Sequence, residues 1–445
     1  MSVGPLDILL VAGFFPPHAP LAATRAPALA RFLGQRGHRV RVLAARNADF
    51  PPVMDHGLPE GSVTWAKVAP PLSARALLRD PAGAVRVLRS PADALRRLSG
   101  WPDQQSGWLP DAARQGDALV AARRPDVILA TAPPHSGLLV AEGLHRRHGV
   151  PWVAEFRDLW TGHPYYDGTG LRAWLDGRTE ARVLGSAAGL ATVTDGWRRQ
   201  LAAQWPRTPV CLARNGFDPA EIAAAPPPAE TGDPAHLTII YAGVLYGDKR
   251  DPRPLFAAIA RLPEDRLTRV RVHFYGSERA AVEAMAAEHG IAAPVVSVHA
   301  PVPRATLLGL QKAADVLLLL RWNDRREDHV LAGKLFEYIG CRRPILSVGS
   351  TTGEAADILR DGGLGRVSDD PAAIVGHLSA WLEEKAATGR VAAPPEDAAA
   401  GHARGAQFEA LEALLGRCAG KASPAAHGTA PAPARPVTGA PPRSA

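Results

Sequence analysis

Cysteine is scarce in this sequence. Three of its 445 residues are cysteine. They are Cys211, Cys341 and Cys418, far apart and without CxxC or Cys/His spacing. That pattern indicates neither a disulfide framework nor a zinc site, and it fits a reducing cytoplasm. Aromatic residues make up only 6% of the chain and do not interleave with basic clusters. Nucleic acid therefore ranks last among anionic partners. No apolar run reaches membrane-spanning length, and Val316-Leu317-Leu318-Leu319-Leu320 is strand-sized. The apolar opening, Asp7 to Phe15, lacks a basic leader and a small-residue cleavage site, so it reads as a first strand. No GxGxxG follows either opening strand, which disfavours a nicotinamide oxidoreductase.

What is present is length, ordinary apolar content and a basic balance. A chain of this length suggests two domains plus extras. The apolar fraction of 46% supplies sizeable cores. A net charge of +7 and a pI near 9.6 favour an anionic partner, such as a nucleotide diphosphate or a phospholipid surface.

Apolar periodicity alternates between strand and helix along both halves. The first half reads as a strand at 8–12, a loop at 13–20, a helix at 22–36 closed by Gly37, and a strand at 38–43. Further strands follow at 127–130, 152–154 and 189–193, with a helix at 136–147. The second half repeats the logic. Strands fall at 237–242, 270–275, 295–298 and 315–320, with helices at 254–261, 280–289 and 304–313 between them. Such alternation predicts α/β architecture with doubly wound parallel sheets. The predicted domains are 1–219 and 237–390, with an Ala/Pro-rich linker at 220–236. An amphipathic stretch at 404–417 follows, and residues 419–445 read as a disordered tail.

The stretch Ala332 to Ser347 carries the strongest chemical signal. It reads as a helix with one exposed acid, a basic turn and a buried strand. Lys334 and Glu337 stand one turn apart on one face. Glu337 suits a pair of sugar hydroxyls and Lys334 suits phosphate; the plain alternative is a surface ion pair. Lys249 and Arg250 follow a Gly243 loop and precede a helix, a place for fixed cations beside a leaving diphosphate. Their plain alternative is a solvated basic pair. Asp158 follows a strand and could orient or deprotonate an acceptor hydroxyl. Arg157 beside it could hold an acidic acceptor, or the two serve a structural salt bridge. His18 and Arg25 flank the first loop. His38 reads as a satisfied turn histidine, and Glu354 as a helix-start charge with a secondary claim on the donor. Segment 72–101 carries Arg75, Arg79, Arg86, Arg89, Arg96 and Arg97 among apolar residues. It suits an anionic membrane surface at the inner face, or is a solvated arginine face.

Several motifs, in order, resemble the retaining GT-B glycosyltransferases of the family 4 type. They are Phe15-Pro16-Pro17 with Arg36-Gly37-His38, and Pro125-Asp126-Val127-Ile128-Leu129 with Pro133-Pro134. Next come Phe156-Arg157-Asp158-Leu159-Trp160 and Asn215-Gly216-Phe217-Asp218. Tyr241-Ala242-Gly243 with Lys249-Arg250, and Gly333-Lys334-Leu335-Phe336-Glu337-Tyr338, complete the series. The resemblance runs from Asp7 to Arg417. It implies two Rossmann-like domains facing across a cleft, and a final helix, 404–417, returning to the first. It implies a nucleotide-sugar donor on the second domain, near Gly243, Lys249, Arg250, His329, Lys334, Leu335 and Glu337, with His18 and Arg25 opposite. Glu337 takes the ribose. It implies an acceptor on the first domain (a glycan, a lipid-linked glycan or a small molecule), retention of anomeric configuration, and no metal or other cofactor. The sequence departs from the family in three places. His329 stands where the common motif has its earlier glutamate, Arg157 where many members have histidine, and Ala19, Ala22 and Ala23 where glycines are frequent. A nucleotide-sugar epimerase and a non-catalytic nucleotide-sugar or polysaccharide-binding protein share the architecture and stay open as alternatives.

Overall fold

The computed structural model describes residues 3–19, 23–47, 50, 55–69, 100–227 and 235–421. Most of the basic segment 72–101, the later part of the linker and the tail from 422 lie outside the described residues.

Near-continuous apolar runs make strands buried on both faces, as a parallel sheet flanked by helices requires. The strands of the first lobe are β1 (Asp7–Ala12), β2 (Arg39–Arg46), β3 (Val63–Lys67), β4 (Val127–Ala132), β5 (Trp152–Phe156), β6 (Gly189–Thr192) and β7 (Val210–Leu212), of which the central β1 and β4 are such runs. They form one sheet in the order β3-β2-β1-β4-β5-β6-β7. All its pairings are parallel, with Ile8 opposite Val127 in the central pair. Among the described residues, the helices of this lobe are α1 (Arg25–Gln35), α2 (Leu109–Ala122), α3 (Ser136–His148), α4 (Gly170–Leu184) and α5 (Asp195–Gln204).

The chain then crosses to the second lobe through α6 (Pro219–Ala224). Its sheet comprises β8 (Leu237–Ala242), β9 (Val270–Tyr275), β10 (Val296–His299), β11 (Val316–Leu320), β12 (Ile345–Val348) and β13 (Gly365–Ser368). The order is β10-β9-β8-β11-β12-β13, again parallel throughout. Around it pack α7 (Arg253–Ile259), α8 (Arg279–Ala287), α9 (Arg304–Ala313), α10 (Gly333–Cys341), α11 (Glu354–Asp361) and α12 (Pro371–Thr388). The last described helix, α13 (Arg404–Cys418), contacts β4 to β7 and α1 of the first lobe. Phe408, Leu411, Leu414 and Leu415 lie buried in the core that holds Ile8, Leu10 and Leu29.

Two local expectations change. The start of the linker is helical, because Asp218 caps it through the amides of Ala220 and Glu221 and Pro219 fixes the first turn. Its Ile222 packs on the second-lobe core, so residues 219–224 are part of a folded lobe. The first helix begins at Arg25, with residues 20–22 outside the described set. Among the described residues no helix is long and apolar enough to cross a membrane.

Candidate active site in the interlobe cleft

Both sheets change direction at a central strand. In the first lobe the switch lies between β1 and β4, and in the second between β8 and β11. Ligands of open α/β sheets bind beyond the carboxyl ends of the strands at such points. A cavity of about 600 Å³ lies there, lined by both lobes. Arg25, Arg157 and Asp158 come from the first lobe; Gly243, Lys334 and Glu337 come from the second.

Lys334 sits in the first turn of α10, whose N-terminus has no side-chain cap. Unbonded amides at such a terminus favour an anion. Its Nζ lies 3.2 Å from the Tyr241 hydroxyl and 4.4 Å from the centre of that ring. Among the described residues it has no ion-pair partner. Burial, with the nearby Arg250 charge, pulls its pKa down to about 8. Gly243 has φ of 130°, and a Cβ there would fall 2.4 Å from Lys334 Nζ. A side chain at this position would fill the space in front of the ammonium group.

Glu337, expected as an exposed acid, retains only 15% exposure of its side chain. Arg304 Nη1 donates to one carboxylate oxygen at 2.7 Å and Gln311 Nε2 to the other at 2.9 Å. Each oxygen keeps a lone pair for a further donor. Arg304 also pairs with Glu221 of α6, which ties the crossing segment to this acid. Leu335 is fully buried and anchors the helix.

Lys249 and Arg250 do not line the cavity. Arg250 forms a pair with the buried Glu327 at 2.8 Å. Lys249 Nζ stands 4.1 Å from the Tyr165 ring centre and 5.1 Å from that of Trp322. Tyr165 belongs to the first lobe and donates its hydroxyl to Glu327 of the second. This cluster therefore joins the lobes. His329 lies against the start of α5, since a Cβ on Gly196 would meet its ring at 2.1 Å. Glu354 begins α11 and accepts from Arg214 at 2.7 Å and from the Asp195 amide at 2.8 Å. That makes it a second interlobe tie.

In the first lobe, Arg25 is buried and paired with Glu155 at 2.8 Å. It also donates to the carbonyls of Ala213 and Arg214, and so shapes the crossing segment from inside. Arg157 donates to the Pro133 carbonyl, while its buried Nε has no hydrogen-bond partner among the described residues. Burial of Asp158 opposes ionisation, yet His163, 3.5 Å away, holds its carboxyl below the usual range. Asp158 is therefore an anion at neutral pH. His135 stacks on Trp160 with centroids 5.1 Å apart, and burial pushes its pKa down to about 4. His18 stands edge-on to Trp65 and outside the cavity lining. His38 is structural: Nδ1 accepts the Leu6 amide and Nε2 meets Glu412.

Residues without a local signal also reach the cavity. Arg404, at the start of α13, lines it and donates to the Gly216 carbonyl at 3.2 Å. Arg304, one residue after Pro303, has only its helix-start position as a clue.

Two switch-point sheets facing one cleft define the GT-B fold. Solved structures agree. The chain aligns with the lipopolysaccharide outer core galactosyltransferase WaaB at 14% identity and TM-score 0.56, over 92% of this chain and 99% of that one. Sucrose-phosphate synthase from Thermosynechococcus elongatus aligns at 12% identity and TM-score 0.57, over 93% and 94%. Anabaena HepE, solved with UDP and glucose, aligns at 13% identity and TM-score 0.55, over 91% and 97%. Residues 22–216, which fall in the first lobe, match the family described as Glycosyl transferase 4-like domain. No curated protein matches the chain in sequence.

Proposed function

We propose that the protein transfers a sugar from a nucleoside diphosphate sugar to an acceptor hydroxyl, with retention of anomeric configuration. The acceptor is a glycan, a lipid-linked glycan or a small molecule. One observation carries this reading: Lys334, without an ion-pair partner among the described residues, sits on an uncapped helix start beside Gly243, one turn from Glu337. A partly buried cation strengthens its hold on charge that grows as the bond from the anomeric carbon to the diphosphate oxygen breaks. The acceptor oxygen forms the new bond to that carbon. Its proton passes to Asp158 or to the departing phosphate. Glu337 accepts from ribose hydroxyls through its two free lone pairs, while Arg304 and Gln311 fix its orientation. Arg250 contributes field from behind Lys334 without touching the ligand. In this reading the chain's own cations serve the diphosphate and no metal is needed. The UDP and glucose in HepE, a neighbour in fold, support a nucleotide-sugar donor.

The test is a thermal-shift screen of UDP-, GDP- and ADP-sugars on the wild type and on Glu337→Ala. A wild-type Tm rise with one nucleotide series, lost selectively in the variant, is the expected result. An unchanged profile in the variant would remove the ribose assignment. Donor converted at full rate without any acceptor would make the protein an epimerase. Donor bound but never turned over with any acceptor would make it a binding protein.

A further inference from the structure

Helix α4 is turned inside out over its first turns. Asp176 and Glu180 point inward and are buried, at 0% and 6% exposure. Asp176 accepts from Trp101 Nε1, the Tyr166 hydroxyl and Arg172 Nε, each at 2.7 Å. Glu180 accepts from Thr161. On the opposite face Leu171, Trp174 and Leu175 are 72%, 56% and 39% exposed. These spacings of three and four residues place them on one stripe. Apart from Tyr246, they are the large apolar side chains most exposed among the described residues.

A folded protein in water has the reverse preference: carboxylates cost free energy inside and leucines gain it there. The inversion is explained if the outer face meets an apolar medium. The rim indicates which medium. Further along the stripe, Arg178 lies over the Trp174 ring, 5.1 Å from its centre, and has no carboxylate partner among the described residues. Arg182 and Arg146 share a single carboxylate, Glu142. The rim is therefore net cationic. Like charge opposes a second copy docking face to face, and an anionic surface complements it.

We propose that α4 is a membrane-docking element. Leu171, Trp174 and Leu175 enter the headgroup and acyl boundary of an anionic bilayer, and Arg178, Arg182 and Arg146 meet the lipid phosphates. Tryptophan at the boundary and arginine at the headgroups is the arrangement of interfacial helices. Docking here sets the loop at 157–169, which carries Asp158 and Tyr165 and leads directly into α4, next to the lipid surface. The inference stands apart from the reaction and holds for any chemistry in the cleft.

Co-sedimentation with vesicles tests it. The probes are vesicles of equal parts phosphatidylglycerol and phosphatidylethanolamine, against phosphatidylcholine alone. The full chain should sediment with the first and not the second. Leu171→Asp and Trp174→Ala should each lower the partition coefficient about tenfold, as expected for losing one buried apolar side chain. Arg178→Glu should lower it further at low salt than at high salt. Because these side chains are exposed, the variants should melt at the wild-type temperature, which separates docking from misfolding. Equal binding by wild type and variants would overturn the proposal. So would equal binding to both vesicle types. A dimer in sedimentation velocity that Trp174→Ala abolishes, without vesicle binding, would assign the face to a second copy and likewise overturn it.

Discussion

The loops after β1 and β8 hold equivalent places, each leaving the strand beside its sheet's switch point. Their contents differ. The first loop is filled by the protein itself. Phe15 is fully buried, and a Cβ on Gly13 would meet Pro134 Cγ at 2.5 Å. Asn47 Nδ2 bonds the Gly13 carbonyl at 2.9 Å and the His18 carbonyl at 3.2 Å. Burial and the Arg46 charge lower the His18 pKa, so that ring is neutral at pH 7. The second loop leaves Gly243 bare in front of a partly dry ammonium group. The two loops hold equivalent places in the topology, and side chains among the described residues fill the first.

The largest expected effect that sharpens this contrast is at Lys334. Lys334→Ala should lower kcat/KM for sugar transfer by about 10²–10³, the scale of removing one preorganised transition-state contact. His18→Ala should leave it nearly unchanged. The reverse outcome in donor-turnover assays would invert the roles of the two loops.

A smaller effect separates packing from binding. Gly13→Ala and Gly243→Ala should each destabilise the fold by about 1–3 kcal/mol in denaturant unfolding. The first forces Pro134 to move; the second adds a side chain at φ of 130° and crowds Lys334. Only Gly243→Ala should also weaken, in calorimetry, binding of the nucleoside diphosphate that the thermal-shift screen selects. Equal loss in both would show that the first loop touches the nucleotide.

The smallest effect is titration. In the proposed reading Lys334 meets diphosphate as a cation, and burial pulls its pKa down to about 8. Affinity should therefore be full below that value and fall as pH rises through it, by about threefold from pH 7.5 to 8.5. Lys334→Arg, whose guanidinium stays charged, should remove the slope. A flat wild-type profile would place the phosphate elsewhere.

Much of the architecture was legible because it rests on local apolar runs. β1, β8 and β11 are each five or six residues of almost unbroken Ile, Leu, Val and Ala. β3 and β13 are short and partly polar and β7 is only three residues long, so their neighbours in the sheet make them strands. In the cleft, Lys334 and Glu337 were readable as one helical turn. Arg304 and Arg404 were not, since they reach it from residues distant in sequence. The interlobe use of Glu354, Lys249 and His329 depends on how two separately folded sheets meet, which no local spacing encodes.

Helix α13 gives the fold an order of completion. The first lobe begins at the amino terminus, but its core includes Phe408, Leu411, Leu414 and Leu415. On the ribosome that lobe must wait, with an open seam along its sheet, until almost the whole second lobe has been made. Phe217 and Ala403, one on the outward and one on the return passage, lie side by side as a β-bridge. Severing the chain between the sheets thus cannot yield two independent halves: the front half would lack its own closing piece.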